Sequence, residues 1–140
     1  MVNDKVVSRF TGKPSRANGG VIQRQPLYPV GEVLELLEQR GIQAVTLWTR
    51  DCQKDVQALE LDHHGVLELL KTALRNGRFL NAQWCQQKSG GPWAACDAYA
   101  VTRSEWMEAA YKSLDVNYYV KFALNRNGAL LLLVSCHTSS

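Results

Sequence analysis

Residues 117–140, NYYVKFALNRNGALLLLVSCHTSS, place side chains suited to proton transfer and anion binding in a strongly apolar segment. Tyr119 and Lys121 are two residues apart, and His137 follows the apolar run. A histidine side chain changes charge near neutral pH and is the commonest acid–base group in catalysis, whereas a lysine holds anions. Tyr119, Lys121 and His137 are therefore the candidate catalytic residues.

The turn between the two final strands decides whether these side chains share a face. The sequence NRNG at 125–128 suits a type I turn followed by a left-handed glycine, which predicts a three-residue loop with Asn125 paired to Ala129. Tyr119 then lies opposite Ser135. The polar face would hold Tyr119, Lys121, Ser135 and His137, and the core face Tyr118, Val120, Phe122, Leu124, Leu130, Leu132, Val134 and Cys136. A two-residue Asn-Gly loop is the alternative, and it would turn His137 toward the core.

Composition sets limits on the class of protein. A chain of 140 residues with 46% hydrophobic residues is expected to form one globular domain. No apolar run reaches the roughly 18 residues that cross a membrane, so we expect a cytoplasmic protein with no membrane partner. Cys52, Cys85, Cys96 and Cys136 have no zinc-like spacing, which predicts idle thiols and neither a metal nor another cofactor.

The first 27 residues differ from the rest. Five basic residues precede position 25, against the single acid Asp4, and apolar periodicity is missing. This composition predicts a flexible basic arm over 1–27, which either solubilises the chain or touches nucleic acid, followed by one domain over 28–140. Deleting about twenty residues from such an arm would leave the melting temperature nearly unchanged.

Periodicity and capping residues predict the elements of the domain. A helix is expected between Pro29 and Gly41, and a second from the N-cap Asp62 to Asn76-Gly77. Strands are expected at 42–48, 78–86 and 95–102, a short helix capped by Ser104 at 104–113, and two strands at the C-terminus. Segment 49–60 is ambiguous. Strands clustered late in the chain favour an α+β fold with a small antiparallel sheet flanked by N-terminal helices.

From about residue 28 to residue 138, this order of elements and motifs resembles the MqsR toxins, which are mRNA interferases of the RelE-like superfamily. The resemblance rests on LDHHG opening the second helix, RFLNA in the next strand, WAACDAY, YVKFAL and LLLLVSCH. Asp97 and Tyr99 fit the family's Asp-x-Tyr, and Tyr119 and Lys121 fit its Tyr-x-Lys. The family's active centre uses lysine, glutamine, tyrosine and lysine where this chain has Asn81, Cys96, Tyr119 and His137.

The resemblance implies a RelE-like two-layer architecture and a ribonuclease toxin that cleaves single-stranded mRNA without a metal and binds a cognate antitoxin. The candidate RNA-binding residues are Asn81, Arg78, Arg126, Tyr99 and Trp84. Trp84 and Trp93 flank a Gly-Gly loop and either stack on bases or anchor the loop in the core. The adjacent His63 and His64 are expected at the surface. The alternatives are a non-catalytic RNA- or protein-binding module of the same fold and an uncharacterised intracellular protein.

Overall fold

The computed structural model describes residues 5–139. The helices are α1 (Val30–Arg40), α2 (Arg50–Ala58) and α3 (His63–Asn76). The strands are β1 (Val21–Gln23), β2 (Val45–Leu47), β3 (Arg78–Gln86), β4 (Trp93–Met107), β5 (Lys112–Leu124) and β6 (Leu131–Thr138). Short 3-10 turns occupy Ala17–Gly20, Gly41–Ala44 and Glu108–Ala110.

The six strands form one sheet in the order β1-β3-β4-β5-β6-β2. All neighbours are antiparallel except the edge strand β2, which runs parallel to β6. The predicted α+β class is confirmed, and the sheet is mixed where a fully antiparallel one was expected. No helix within 5–139 is long and apolar enough to cross a membrane.

The helices follow their sequence patterns to different degrees. In α3 the Asp62 carboxylate accepts the Gly65 N–H at 2.7 Å, which confirms the predicted N-cap. The apolar stripe of this helix is buried, and α1 begins and ends at the predicted residues. The ambiguous segment 49–60 contains α2, which Thr49 caps by accepting the Cys52 N–H. Only Cys52 and Val56 are buried in α2, so its periodicity was too sparse to predict.

The predicted short helix at 104–113 is wrong. Strand β4 continues to Met107, and β5 begins at Lys112 after a turn in which Tyr111 adopts a left-handed conformation. The last β3 partner of β4 is at Ala100 and the last β6 partner of β5 is at Tyr118, so from Arg103 to Val116 the two strands pair only with each other and project as a two-stranded ribbon. The aromatic residues of this segment favour a strand, and cross-strand pairing outweighs the Ser104 capping pattern.

In the final hairpin, Tyr119, Lys121 and His137 lie on the predicted face, but the two strands pair in a different register. Gly128 has the predicted positive φ of 73°, but the Asn125 N–H bonds to the Leu130 carbonyl at 2.9 Å, so the loop is one residue longer than expected. A bulge in β6 at Val134 adds a second one-residue shift. Two shifts restore the alternation of faces. Tyr119 therefore lies opposite His137, Lys121 lies opposite Ser135, and β6 sends Leu131 and Leu133 to the core in place of Leu130 and Leu132.

The sheet has one face covered by helices and one face that we call the second face. The helix-covered face packs Val120, Phe122 and Leu124 of β5 against apolar residues of all three helices in one buried cluster. Burying such side chains stabilises the fold by about 1.5–3 kcal/mol each. The residues that alternate with them on β5 and β6, including Lys121 and His137, point to the second face.

The N-terminal segment predicted to be a flexible arm packs into the sheet over its described part. Val6 forms a parallel bridge with Trp93, and Ser8 forms an antiparallel bridge with Asn125. β4 and β5 pair only as far as Asp97 and Phe122, so residues 5–9 insert as a wedge between the ends of these two central strands. Residues 1–4 lie outside the described part of the chain. The composition of the arm gave no indication of this insertion, because its partners are distant in sequence.

The start of β4, before Asp97, has no pairing with β5, and the N-terminal segment forms hydrogen bonds with it there. Ser8 is fully buried, and its hydroxyl accepts the Ala95 N–H at 3.0 Å and donates to the Phe10 carbonyl at 2.7 Å. The Tyr28 hydroxyl donates to the Ala95 carbonyl at 2.6 Å. The backbone groups of Ala95 are thus satisfied from the N-terminal segment, as buried peptide groups require.

Asp97 fixes the chain where the N-terminal segment leads into α1. Its fully buried carboxylate accepts the backbone N–H groups of Leu27 and Tyr28 at distances from 2.9 to 3.1 Å. Burial raises the pKa of Asp97 to about 6, although these two backbone donors act in the opposite direction. The carboxylate is therefore a structural group that joins the arm to the sheet.

The wedge yields a prediction that replaces the earlier expectation of a dispensable arm. Ser8→Ala leaves the buried Ala95 N–H unpaired and removes a donor from the partly buried Phe10 carbonyl, so we expect a loss of about 1–3 kcal/mol in the free energy of unfolding. Deletion of residues 1–20 should cost more, because it also removes the buried Val6 side chain. Urea denaturation measures both. Ser89→Ala, in an exposed loop, is the matched control, and equal stability of Ser8→Ala and Ser89→Ala would contradict the prediction.

Asp97 predicts a pH dependence of stability. Its folded-state pKa of about 6 lies above the ordinary value of 3.8, so the folded state binds the proton more tightly. The contribution of Asp97 is therefore fully present below pH 3.8 and is lost as the pH rises through 6. The stability of wild type minus that of Asp97→Asn should fall by about 3 kcal/mol between pH 4 and pH 7. Urea denaturation of both proteins across this range gives the difference, and a flat or rising difference would refute the assignment.

Candidate functional site

Two rows of cross-strand neighbours define the centre of the second face. The first row is Arg78, Ala100, Tyr119 and His137, and the second is Asn81, Ala98, Lys121 and Ser135. A bulge at Leu80 in β3 brings Arg78 and Asn81 into these rows. The β4 members of both rows are alanines, so the longer side chains of β3 and β5 extend over the middle strand.

The three candidate catalytic residues are neighbours on this face. The rings of Tyr119 and His137 are stacked, with centroids 5.1 Å apart and planes at 17°. The Lys121 ammonium lies 5.9 Å from the centroid of the Tyr119 ring. All three side chains are half-buried, so each is positioned by its neighbours and reaches the surface.

The hydrogen bonds of His137 indicate its tautomer. Its Nδ1 lies 3.0 Å from the Thr138 carbonyl oxygen. A carbonyl oxygen only accepts hydrogen bonds, so this contact assigns the proton to Nδ1 and leaves Nε2 of the neutral ring with its lone pair. Nε2 can then accept a proton from a bound hydroxyl group.

Lys121 and Tyr119 keep their protons at neutral pH. Burial disfavours the charged lysine, but the negative charge of the neighbouring Cys85 outweighs it, so the pKa of Lys121 is raised. Burial also raises the pKa of the Tyr119 phenol. The site therefore offers one permanent cation and one hydroxyl donor beside an imidazole. The ammonium of Lys121 also donates to Gln83 Oε1 at 3.2 Å.

A pair of thiols lies next to Lys121. The neighbouring Cys96 thiol and the Lys121 ammonium lower the pKa of Cys85 to about 6, although burial acts against them. Burial and the proximity of Cys85 raise the pKa of Cys96 well above its ordinary value. The Cys96 thiol donates to the Ala94 carbonyl at 3.5 Å, and Cys85 is the more acidic of the two thiols. Sequence analysis had treated both as idle thiols.

A cavity of about 830 Å³, which we call the basic pocket, adjoins these residues. The sheet is strongly curved at this point. The Gln87 side chain, in the loop between β3 and β4, donates to the carbonyl of Trp48, which follows β2, at 2.8 Å. Cys85, Lys121 and Ser135 line the pocket on the sheet side. Sequence reasoning missed Gln83 and Cys85, although their alternation with Asn81 in the predicted strand 78–86 indicates a shared face.

Three of the predicted RNA-binding residues lie outside the two rows. Tyr99 is buried on the helix-covered face, where it stacks on Phe122 with ring centroids 6.0 Å apart, so its side chain does not reach the second face. Trp84 packs against Phe10 of the N-terminal segment, 6.4 Å between centroids, and also lines the basic pocket. Arg126 donates to the Val6 carbonyl at 3.0 Å and is not among the residues of the two rows. Arg78 and Asn81 do share those rows.

Other potential ligand groups stay apart. His63 and His64 are exposed at the start of α3, as expected. Among residues 5–139, no three His, Cys, Asp or Glu side chains converge in a way that would hold a metal ion.

Comparison of the chain with protein-family models, with curated proteins and with solved structures finds no match.

The thiolate assignment gives a prediction that is independent of function. Cys85 should react with iodoacetamide with a rate that is half-maximal near pH 6, because only the thiolate is nucleophilic. Lys121→Met should move that midpoint upward. Cys52 and Cys136 serve as internal controls, since burial raises their pKa values to about 12 and about 11. Mass spectrometry of peptides measures each rate, and a Cys85 midpoint near that of an ordinary thiol would contradict the assignment.

Proposed function

We propose that this protein is a metal-independent endoribonuclease of RelE-like architecture that cleaves single-stranded RNA. One observation supports the proposal above the others: the stacked Tyr119 and His137 rings lie beside the Lys121 ammonium on an accessible face of the sheet. Proton transfer, hydrogen-bond donation and charge neutralisation are the three functions that RNA cleavage by its own 2′-hydroxyl group requires.

In the proposed reaction, Nε2 of His137 takes the proton of the ribose 2′-hydroxyl group. The 2′ oxygen attacks the adjacent phosphorus, the bond from phosphorus to the 5′ oxygen breaks, and this oxygen leaves with a proton from solvent. The products are a 2′,3′-cyclic phosphate and a 5′-hydroxyl end. Lys121 neutralises the charge that develops on the phosphoryl oxygens, and the Tyr119 hydroxyl donates a hydrogen bond to one of them.

The cellular part of the proposal rests on the resemblance to the MqsR toxins. A cytoplasmic ribonuclease toxin would cleave mRNA and be neutralised by an antitoxin protein. Expression in a bacterial host tests this part: wild type should arrest growth and His137→Ala should not. Growth arrest by both proteins would show that toxicity does not depend on proton transfer by His137.

One observation favours a second candidate, a non-catalytic RNA-binding module. Of the four positions that match the family's active centre, only Tyr119 carries the family's residue, and Cys96 is fully buried beneath the second face. RNA binding needs the cations and the aromatic rings of the face but not a proton acceptor. Cleavage assays on purified protein distinguish the two candidates.

Two substitutions should separate proton transfer from charge neutralisation. His137→Ala should lower the cleavage rate by about two to four orders of magnitude, the contribution of one acid–base group. Lys121→Ala should weaken RNA binding and reduce the slope of log affinity against log salt by about 0.7, as for one lost phosphate contact.

Gel analysis of end-labelled RNA and fluorescence anisotropy measure the two effects. His63→Ala, at an exposed histidine of α3, is the matched control and should cleave like wild type. Full activity of His137→Ala would refute the proposed proton transfer by His137. Binding without cleavage by folded wild-type protein would establish the binding module in its place.

A further inference from the structure

The basic pocket gathers cationic side chains from four separate parts of the chain. Arg16 comes from the N-terminal segment, Arg50 from the first turn of α2, Lys88 from the loop between β3 and β4, and Lys121 from β5. Asp51 is the one carboxylate among the lining residues. The pocket therefore concentrates positive charge that the net charge of +3 for the whole chain does not reveal.

Within residues 5–139, these cations form no ion pair with a carboxylate. The three Arg–Glu ion pairs of this part of the chain, Arg9–Glu32, Arg75–Glu38 and Arg103–Glu105, all lie outside the pocket. The excess of positive charge thus comes from Arg16, Arg50 and Lys88 against Asp51, and an anionic ligand would neutralise it.

The pocket is held in shape by its polar walls. The Arg16 guanidinium packs over the Trp93 ring at 4.9 Å and donates to Gln86 Oε1 at 2.6 Å. On the sheet side, the Gln83 amide donates to the Gly19 carbonyl at 2.6 Å. Because these contacts hold Arg16 and Gln83 in place in the free protein, ordering their side chains costs little binding free energy when a ligand binds.

The pocket is continuous with the proposed reaction site. Lys121 and Ser135 line the pocket and also belong to the second row of the second face, next to the row of Tyr119 and His137. At the β3 end of that row, Arg78 lines a polar depression of about 500 Å³ together with Thr102 and Asn117. Cationic groups therefore lie in the row beside the stacked rings and at the far end of their own row.

We propose that the basic pocket binds the backbone phosphates of a single RNA strand on one side of the phosphate that reacts between Lys121 and His137. This inference rests on the proposed function and deepens it, since it makes the substrate a strand longer than a dinucleotide. Arg50 and Lys88 contact phosphates remote from the reaction. They add affinity for long strands and take no part in proton transfer.

The test separates binding from cleavage. The probe is a single-stranded RNA of about twelve nucleotides with 2′-O-methyl groups throughout, which lacks the attacking hydroxyl group; its binding is followed by fluorescence anisotropy at several salt concentrations. The Arg50→Ala/Lys88→Ala double variant should bind the probe about tenfold or more weakly. Its slope of log affinity against log salt should be smaller by about 1.4, for two lost phosphate contacts.

Two further variants sharpen the result. Asp51→Asn should strengthen binding, because it removes the carboxylate of the pocket. Arg75→Ala, at an exposed cation of α3 outside the pocket, is the control and should bind like wild type. Arg50 and Lys88 are exposed, so thermal denaturation should show an unchanged fold for the double variant.

Each outcome supports or overturns a separate statement. With a cleavable dinucleotide the double variant should keep the wild-type rate, while its rate on long RNA falls. If the double variant binds the probe like wild type, the pocket inference is overturned even where wild type cleaves RNA. If wild type binds the probe through Arg50 and Lys88 but cleaves no RNA, the pocket inference stands and the proposed nuclease fails. Equal affinity for a duplex of the same length would overturn the single-strand assignment.

Discussion

The hydrogen bonds between the buried Asp97 carboxylate and the N–H groups of Leu27 and Tyr28 are the constraint on which the arrangement depends. They hold the N-terminal segment against the sheet at the point where β4 and β5 separate. A buried carboxylate without donors would cost several kcal/mol, so the segment and the sheet stabilise each other. The position that resembles a toxin-family Asp-x-Tyr is, in this chain, a structural junction.

The shape of the second face follows from that junction. The N-terminal segment fills the gap between the two central strands, and bulges at Leu80 and Val134 increase the twist of the sheet on either side. The curl brings Gln87 to Trp48 and encloses the basic pocket beside Lys121. The cations of the pocket and the stacked rings are thus placed by the same curvature.

Sequence patterns predicted what is local and missed what is distant. The Asp62 cap, the stripe of α3 and the bounds of β3 follow from neighbouring residues, and the structure has them. The insertion of residues 5–9 depends on partners that are distant in sequence, so no local sequence pattern predicts it. The prediction that Tyr119, Lys121 and His137 share a face is confirmed, because two one-residue shifts in register leave each side chain on its expected face. The predicted cross-strand pairs were wrong, because the same two shifts change which residues lie opposite each other.

The bridge between Ser8 and Asn125 has a consequence for the order of synthesis. At about 5–20 residues per second, the ribosome needs roughly 6–25 s to make the stretch between these two residues. The segment around Ser8 thus cannot insert until Asn125 has left the exit tunnel. Contacts this far apart in sequence also slow folding itself. The gap between the two central strands is therefore filled by a segment that is synthesised well before its partner.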